Sequence, residues 1–463
     1  MRDALSLQRT TFAREMNPPL ALRRDRLDRL AAMTERIAPA LVEALSQDFG
    51  HRSAHVTRLA DVMMVMAAIS HTRRHLKKWM RTRRVATPLA FQPAASRLMP
   101  QPLGVVGIVS PWNYPYQLAI APAAAALAAG NRVMIKPSEL TPRCSELMRQ
   151  AVADSFAADE MVVVTGDAQV GKGFVALPFD HLLFTGSTAV GRQVALAAAA
   201  NLTPVTLELG GKSPAILSPD CDLRQAATSL ALGKMFNAGQ TCIAPDYVAV
   251  PRAMVEPFTS AMADAVRRLY PDLAVNPDVT SIVSDRHFER LQALQDDALQ
   301  HGARIVPLAP ETPGRTPRLM RPALVLDVTD GMRIMREEIF GPLLPVLAYD
   351  QLDEVIGHVN RNDRPLALYW YGKDRQARER VLRETISGGV TINDCMWHFG
   401  QEELPFGGVG ASGTGAYHGE AGFRTFSKDK PVFIQSRLSG VPLLHPPYGG
   451  VFEFMARVLK HIT

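Results

Sequence analysis

Cys242 sits in Gly239-Gln-Thr-Cys-Ile-Ala244, a run of small residues in which a thiol has room to react. A free cysteine is by default a small buried hydrophobe. A tight setting flanked by Gly and Thr also suits a nucleophilic thiolate, and among Cys144, Cys221, Cys242 and Cys395 only Cys242 has one. Glu208 opens Glu208-Leu-Gly-Gly-Lys-Ser-Pro214 at the end of an apolar run. Burial would raise its pKa toward neutrality and make it a general base, while a structural ion pair fits the spacing equally well. Phe184-Thr-Gly-Ser-Thr-Ala-Val-Gly191 places Gly186 and Gly191 between an apolar run and an Ala-rich stretch. Backbone amides at such a helix start can cradle a phosphate, although a tight strand-to-helix turn also wants glycine and the G-x-G-x-x-G fingerprint is absent. In Lys136-Pro-Ser-Glu139 the two charged residues could hydrogen-bond the hydroxyls of a ribose, or form a solvated pair ahead of a helix.

These residues need elements to position them. Short apolar runs at 105–109, 132–135, 161–165, 181–184 and 204–209 read as strands, with helices between them at 117–129, 142–155, 170–176 and 189–200. That alternation predicts a doubly wound parallel sheet, which binds ligands outside the carboxyl ends of its strands. Helical spacing over 17–49 and 53–83 predicts a helical layer ahead of it, and the proline-containing stretch 86–101 reads as an extended arm or edge strand. A second α/β block runs from about 210 to 415. The tail from 417 ends in an amphipathic stretch at 451–460 that reads as a docked helix or subunit contact, with a membrane-surface anchor as the lesser alternative.

Composition narrows the class. The 463 residues exceed what one hydrophobic core organises, and 47% apolar with 21% charged residues is ordinary for a globular chain. Four scattered cysteines without a Cys-x-x-Cys pair or a Cys/His cluster argue against a disulfide framework and a metal site, and favour a reducing, cytoplasmic setting. The basic run from His71 to Arg84 lacks aromatic stacking platforms and reads as a solvated helix face rather than a nucleic-acid surface. The longest uncharged stretch, 111–131, is Ala-rich and carries prolines, so no membrane span is expected.

Taken in order, Pro111-Trp-Asn-Tyr-Pro115, Lys136-Pro-Ser-Glu139, the Gly186/Gly191 turn, Glu208-Leu-Gly-Gly-Lys212, Gly239-Gln-Thr-Cys242, Glu338-Ile-Phe-Gly-Pro342 and Pro405-Phe-Gly-Gly408 closely resemble the aldehyde dehydrogenase superfamily. The resemblance covers nearly the whole chain. It implies an α/β aldehyde dehydrogenase-like fold of two doubly wound α/β domains plus a small β oligomerisation arm. A cofactor domain would take residues 1–85 and 102–208, a catalytic domain 209–416, bridging arms 86–101 and 417–440, and a tail 441–463. By the same resemblance Cys242 is the nucleophile, Glu208 the base that activates water, and Asn113 a donor to the oxyanion. Lys136 and Glu139 would contact the adenosine ribose, Gly186, Ser187 and Gly191 the pyrophosphate, Glu338 the nicotinamide ribose and Phe340 its ring. NAD is implied as cofactor, with NADP as the alternative because Ala189 stands where many relatives carry an acidic residue. Cys242-Ile-Ala-Pro-Asp-Tyr247, 407–419 and 201–212 are similar to the class 3 branch, and 201–212 most of all to bacterial coniferyl aldehyde dehydrogenases. An aromatic phenylpropenal or a medium-chain alkanal is then the implied substrate, with Tyr114, Trp397, His398 and Phe399 as candidate lining, and a homodimer the implied assembly. His418 resembles a subgroup marker without assigned chemistry. The rival readings are a CoA-acylating relative, which would generally lack Glu208, a thiol hydrolase, for which no histidine partner of Cys242 can be assigned, and a non-catalytic protein on the same scaffold.

Overall fold

The computed structural model describes residues 1–310 and 317–462. Its first sheet is parallel over Met161–Val163, Arg132–Lys136, Val105–Val109, His181–Thr185 and Val205–Glu208, in that spatial order, and Gly413–Thr414 closes one edge in antiparallel fashion. Both faces are covered by helices, which is why these strands are continuous apolar runs. Gln117–Ala129 and Pro142–Ser155 have the predicted bounds; Gly130 ends the first in a left-handed residue and Pro142 opens the second at its first position. Strand order reverses between Val105–Val109 and His181–Thr185, so the loops after these two strands flank the crevice where such sheets take ligands.

The second sheet runs Arg304–Pro307, Ala323–Leu326, Leu343–Tyr349, Tyr247–Pro251, Pro214–Leu217, Ala367–Tyr371 and Gly389–Ile392, parallel except for the first pair. A third sheet has three strands: Arg83–Val85, Ala95–Pro102 and Ser427–Ile434. The stretch read as an arm or edge strand is therefore the centre of this sheet. Its prolines are accommodated because Arg83–Val85 pairs only with Ser96–Leu98, so at Pro100 and Pro102 the strand has a single neighbour.

The N-terminus also departs from the sequence reading. Arg2–Arg14 is a helix that docks on the first sheet through buried Leu5 and Gln8, whose Nε2 donates to the carbonyls of Val133 (3.1 Å) and Ala158 (3.1 Å). Leu20–Phe49 and Met64–Trp79 form the predicted helical layer, joined by a wide π-helical turn at Thr57–Met63. The basic run lies on Met64–Trp79 with Arg73, Arg74, Lys77 and Lys78 exposed, while Leu76 and Trp79 face the core. The tail forms the helix Gly450–Ile462.

One buried ion pair ties the helical layer to the crevice. Arg52 Nη2 meets Asp61 Oδ2 at 2.8 Å with both side chains fully out of solvent. Asp61 Oδ1 accepts from the amide of Gln117 (3.3 Å), and the guanidinium lies 4.9 Å from the Phe49 ring and 5.3 Å from the Tyr114 ring. Removing one partner strands the other in an apolar interior, at a cost of about 3–5 kcal/mol. Asp61→Asn should lower stability by that amount in denaturant unfolding, whereas Asp264→Asn, at a solvent-exposed pair with Arg267, should leave it unchanged.

Candidate active site

Cys242 is presented by a loop with unusual backbone. Asn237, Ala238 and Gly239 have φ of 52°, 55° and 71°, three consecutive left-handed residues. Gly239 has no alternative there, since a Cβ would come within 2.4 Å of the Gly341 carbonyl oxygen. For Asn237 and Ala238 the conformation costs roughly 1–3 kcal/mol each and persists only where the surroundings enforce it. Gln240, wholly buried, does so. Its Nε2 donates to the carbonyls of Asn237 (3.0 Å) and Ser281 (3.0 Å), and its Oε1 accepts from the Val283 amide (2.9 Å). The Gln240 carbonyl in turn accepts one amide hydrogen of Asn113 (3.1 Å), which fixes that side chain beside the cysteine loop. Tyr114, next in the chain, shares a 2.6 Å hydrogen bond with Thr241 Oγ1. The roles of Asn237 and Gln240 were not read from the sequence, where Gly239-Gln-Thr-Cys242 signalled only small residues.

Two carboxylates face this loop. Glu208 ends its strand between Thr185 and Gly413 and is buried with neither carboxylate oxygen hydrogen-bonded. Burial alone holds its pKa well above the ordinary carboxylate range. Glu338 follows the short helix Arg333–Arg336, and burial, then Asp246, push its pKa up to about 8 against the pull of the Gly211 amide, Lys212 and Arg290. Its Oε1 lacks a partner, and its Oε2 would lie 2.0 Å from a Cβ at residue 210, so only glycine fits there. Lys212 holds this loop through the carbonyls of Ile334 (2.7 Å) and Glu337 (2.9 Å) and by an ion pair to Asp246. Phe340, at φ 52°, packs edge-on to Trp112 with ring centres 5.4 Å apart.

The Cys242 thiol is not a standing thiolate. Burial, then the charges of Glu338 and Glu208, push its pKa up to about 12. Its proton must pass to a base when the sulfur reacts. The sulfur borders an apolar cavity of about 180 Å³ walled by Met64, Leu118, Phe236, Tyr114, Trp397 and Phe399. Three of the four candidate lining residues are thus present. His398 is not: it turns into the core, with Nδ1 on Thr391 Oγ1 (2.9 Å) and its ring stacked on Phe406. His418 is buried in the same aromatic group. The contribution of Leu59, Ala60 and Met64 to the cavity wall was not legible, because it depends on the π-helical turn rather than on side-chain pattern.

On the other side of the crevice, Ser187 caps the helix Thr188–Ala199, accepting from the Val190 amide (3.4 Å). Gly186 lies against the Phe184 ring and Gly191 against Leu209, each closer than a Cβ would allow. Lys136 is buried at the end of its strand, with Nζ donating to the Pro137 carbonyl (2.7 Å) and 3.9 Å from Glu139. A helix start free for phosphate, a buried ammonium beside an exposed carboxylate, and the unpartnered Glu338 oxygen at a bare glycine fit a dinucleotide stretched from Lys136 to Glu338.

Glu208 makes the site costly to the fold. A carboxyl group whose pKa is raised on folding stabilises below its unfolded pKa, and that contribution is lost as pH climbs toward the folded value. Glu208→Gln removes the charge without changing shape, so the thermal midpoint of the variant should exceed that of the parent. The gap should widen from pH 5 to pH 8 in scanning calorimetry.

The chain is similar to known proteins over nearly all of its length. The family model described as "Aldehyde dehydrogenase family" matches residues 2–432. A coniferyl aldehyde dehydrogenase of Pseudomonas sp. is 47% identical over 95% of this chain and 92% of its own. Among solved structures, the substrate-bound AldH of Staphylococcus aureus superposes with a TM-score of 0.94 at 35% identity, covering 99% of both chains. The indole-3-acetaldehyde dehydrogenase AldA of P. syringae, solved with NAD+, gives 0.85 at 27% identity over 94% of this chain and 88% of its own. The chain belongs to the aldehyde dehydrogenase family and is an NAD(P)-dependent oxidoreductase acting on aldehydes.

Proposed function

We propose that this enzyme oxidises an aromatic aldehyde of the coniferyl type to its carboxylic acid through a thioester on Cys242, and that Glu208 directs the thioester to water. The observation that carries the reading is the buried Glu208 carboxylate, unpartnered and near enough to raise the Cys242 thiol. Cys242 Sγ forms a bond to the carbonyl carbon as its proton leaves to a base. The developing oxyanion is held by the second amide hydrogen of Asn113, whose side chain is anchored on the Gln240 carbonyl, and by the Cys242 backbone N–H. When bound, with Glu338 and Phe340 holding its nicotinamide end, NAD would supply the hydride acceptor through which the Cys242 adduct becomes a thioester. Glu208 then takes a proton from water, hydroxyl adds to the acyl carbon, the C–S bond breaks, and the acid departs with the sulfur restored. A CoA-acylating enzyme would gain nothing from such a base.

Lys136 and Glu139 would engage the adenosine ribose, Gly186, Ser187 and Gly191 the pyrophosphate, and Glu338 the nicotinamide ribose, with Phe340 against the ring. The Glu139 carboxylate would repel a 2′-phosphate, so NAD is preferred over NADP. The aromatic walls at Tyr114, Phe236, Trp397 and Phe399 favour a planar, apolar substrate, and relatives that act on coniferyl aldehyde support that class. A homodimer belongs to the same reading, since Ser427–Ile434 is an edge strand with exposed Phe433 and Ile434. So does a cytoplasmic setting, which suits four free cysteines. Among the described residues, no helix is long and apolar enough to cross a membrane.

Cys242→Ala should abolish turnover, by at least about a thousandfold, while NAD binding by fluorescence titration stays within twofold. Residual oxidation near the parent rate would remove Cys242 from the mechanism. With the parent enzyme and NAD, coniferyl aldehyde should be oxidised with higher kcat/KM than a medium-chain alkanal. A preference for the alkanal would point to a general fatty-aldehyde enzyme instead, and inactivity on both without CoA would favour acyl transfer to CoA.

A further inference from the structure

The chemistry above leaves one group of ligand-bearing side chains unused. His71 and His75 are four residues apart on the helix Met64–Trp79 and so share a face. Glu403 approaches that face from the loop following the cavity wall. Its Oε1 lies 3.6 Å from His71 Nε2 and 3.9 Å from His75 Nε2, and the three ligand atoms all fall within 4.8 Å of one another.

Two details separate this group from a chance surface cluster. His75 Nδ1 donates to the His71 carbonyl (2.9 Å), which fixes the tautomer and leaves Nε2 with its lone pair directed at the group. Metal-bound histidines are oriented in this way by their outer nitrogen. His71 Nε2 is shielded from solvent and has no hydrogen-bond partner, although Glu403 itself is exposed and free to rotate.

We propose that His71, His75 and Glu403 form a binding site for a borderline divalent transition-metal ion such as Zn²⁺. Imidazole with carboxylate suits Zn²⁺, Co²⁺, Ni²⁺ and Cu²⁺, whereas Mg²⁺ and Ca²⁺ want oxygen donors. Zn²⁺ sits about 2.0–2.2 Å from such ligands, which requires the three atoms to draw in by roughly an ångström. Small rotations of the His71, His75 and Glu403 side chains supply that movement, and water completes the shell. The site is not legible in the sequence because Glu403 is more than 300 positions from the histidines and no cysteine takes part.

The ion would act as a clamp. Met64 lies seven residues before His71 on the same helix face, and its methyl group is 3.9 Å from where a Cβ at Gly400 would stand. Met64, Trp397, Phe399 and Gly400 all border the cavity beside Cys242. Metal at His71, His75 and Glu403 therefore pins the loop 396–403 to the helix along one side of the aldehyde path. The metal site stands independently of the catalytic assignments; only the clamp's bearing on aldehyde entry rests on them.

Titration of the full-length enzyme with Co²⁺ tests the site by visible absorption. One ion per chain is expected, with ligand-field bands and without a sulfur-to-cobalt charge-transfer band, which excludes Cys242 as the ligand. His71→Ala should abolish binding. Glu403→Gln, at an exposed position where folding is not at stake, should weaken it at least tenfold. Hydrogen exchange over 396–403 should slow when Zn²⁺ is added to the parent enzyme and stay unchanged in Glu403→Gln. Equal affinity in parent and variants, or a spectrum dominated by sulfur ligation, would overturn the site. Binding at these residues without protection of the loop would overturn the clamp.

Discussion

The left-handed turn at Asn237, Ala238 and Gly239 is the constraint on which the site depends. It reverses the chain between the helix Leu223–Met235 and the cysteine, and it closes against the Gly341 carbonyl, in the same segment as Glu338 and Phe340. Two non-glycine residues in that conformation are unfavourable on their own. The hydrogen bonds of Gln240 to Asn237, Ser281 and Val283 offset the cost, and they do so in a water-free interior where such bonds are strong and their loss is expensive. Because Asn113 is bonded to the Gln240 carbonyl, the same network that presents Cys242, the proposed nucleophile, also positions Asn113, the proposed donor to its oxyanion. Geometry is settled before substrate arrives.

Electrostatics are arranged around the same point. Two buried carboxyl groups, Glu208 and Glu338, hold raised pKa values, and together with burial they keep the thiol protonated at neutral pH. A resting thiol of this kind resists oxidation and stray alkylation. It also demands a proton acceptor at the moment of reaction, which a carboxyl group with a raised pKa is suited to be. Other buried charges are held in ion pairs, Arg52 with Asp61 and Lys212 with Asp246.

The legible part of this structure is the part set by local pattern. Strands buried on both faces announce themselves as short apolar runs, and Gly130 and Pro142 mark helix ends by chain stereochemistry. The proposed catalytic and cofactor residues stand in ordered motifs, and the geometry gives steric reasons for some of their glycines: Gly210 yields to the Glu338 carboxylate, Gly191 to Leu209. What was hidden depends on contacts distant in sequence. Gln240 reaches across to Ser281 and Val283, Arg52 reaches Tyr114, and the π-helical turn delivers Leu59 and Ala60 to the cavity. His398 looked like lining because its neighbours are, yet alternation along a turn sends it to Phe406 instead. Ala95–Pro102 looked like an edge because of its prolines, and its partners are brought in from residues 83–85 and 427–434.

The central claim is that the acyl group resides on Cys242 and leaves it only through water activated by Glu208. Intact-protein mass spectrometry of Glu208→Gln, quenched in acid after mixing with NAD and coniferyl aldehyde, tests this directly. A stable adduct of acyl mass is expected, mapped to the peptide carrying Cys242, with about one NADH formed per chain. An unmodified protein together with continued turnover at the parent rate would contradict it.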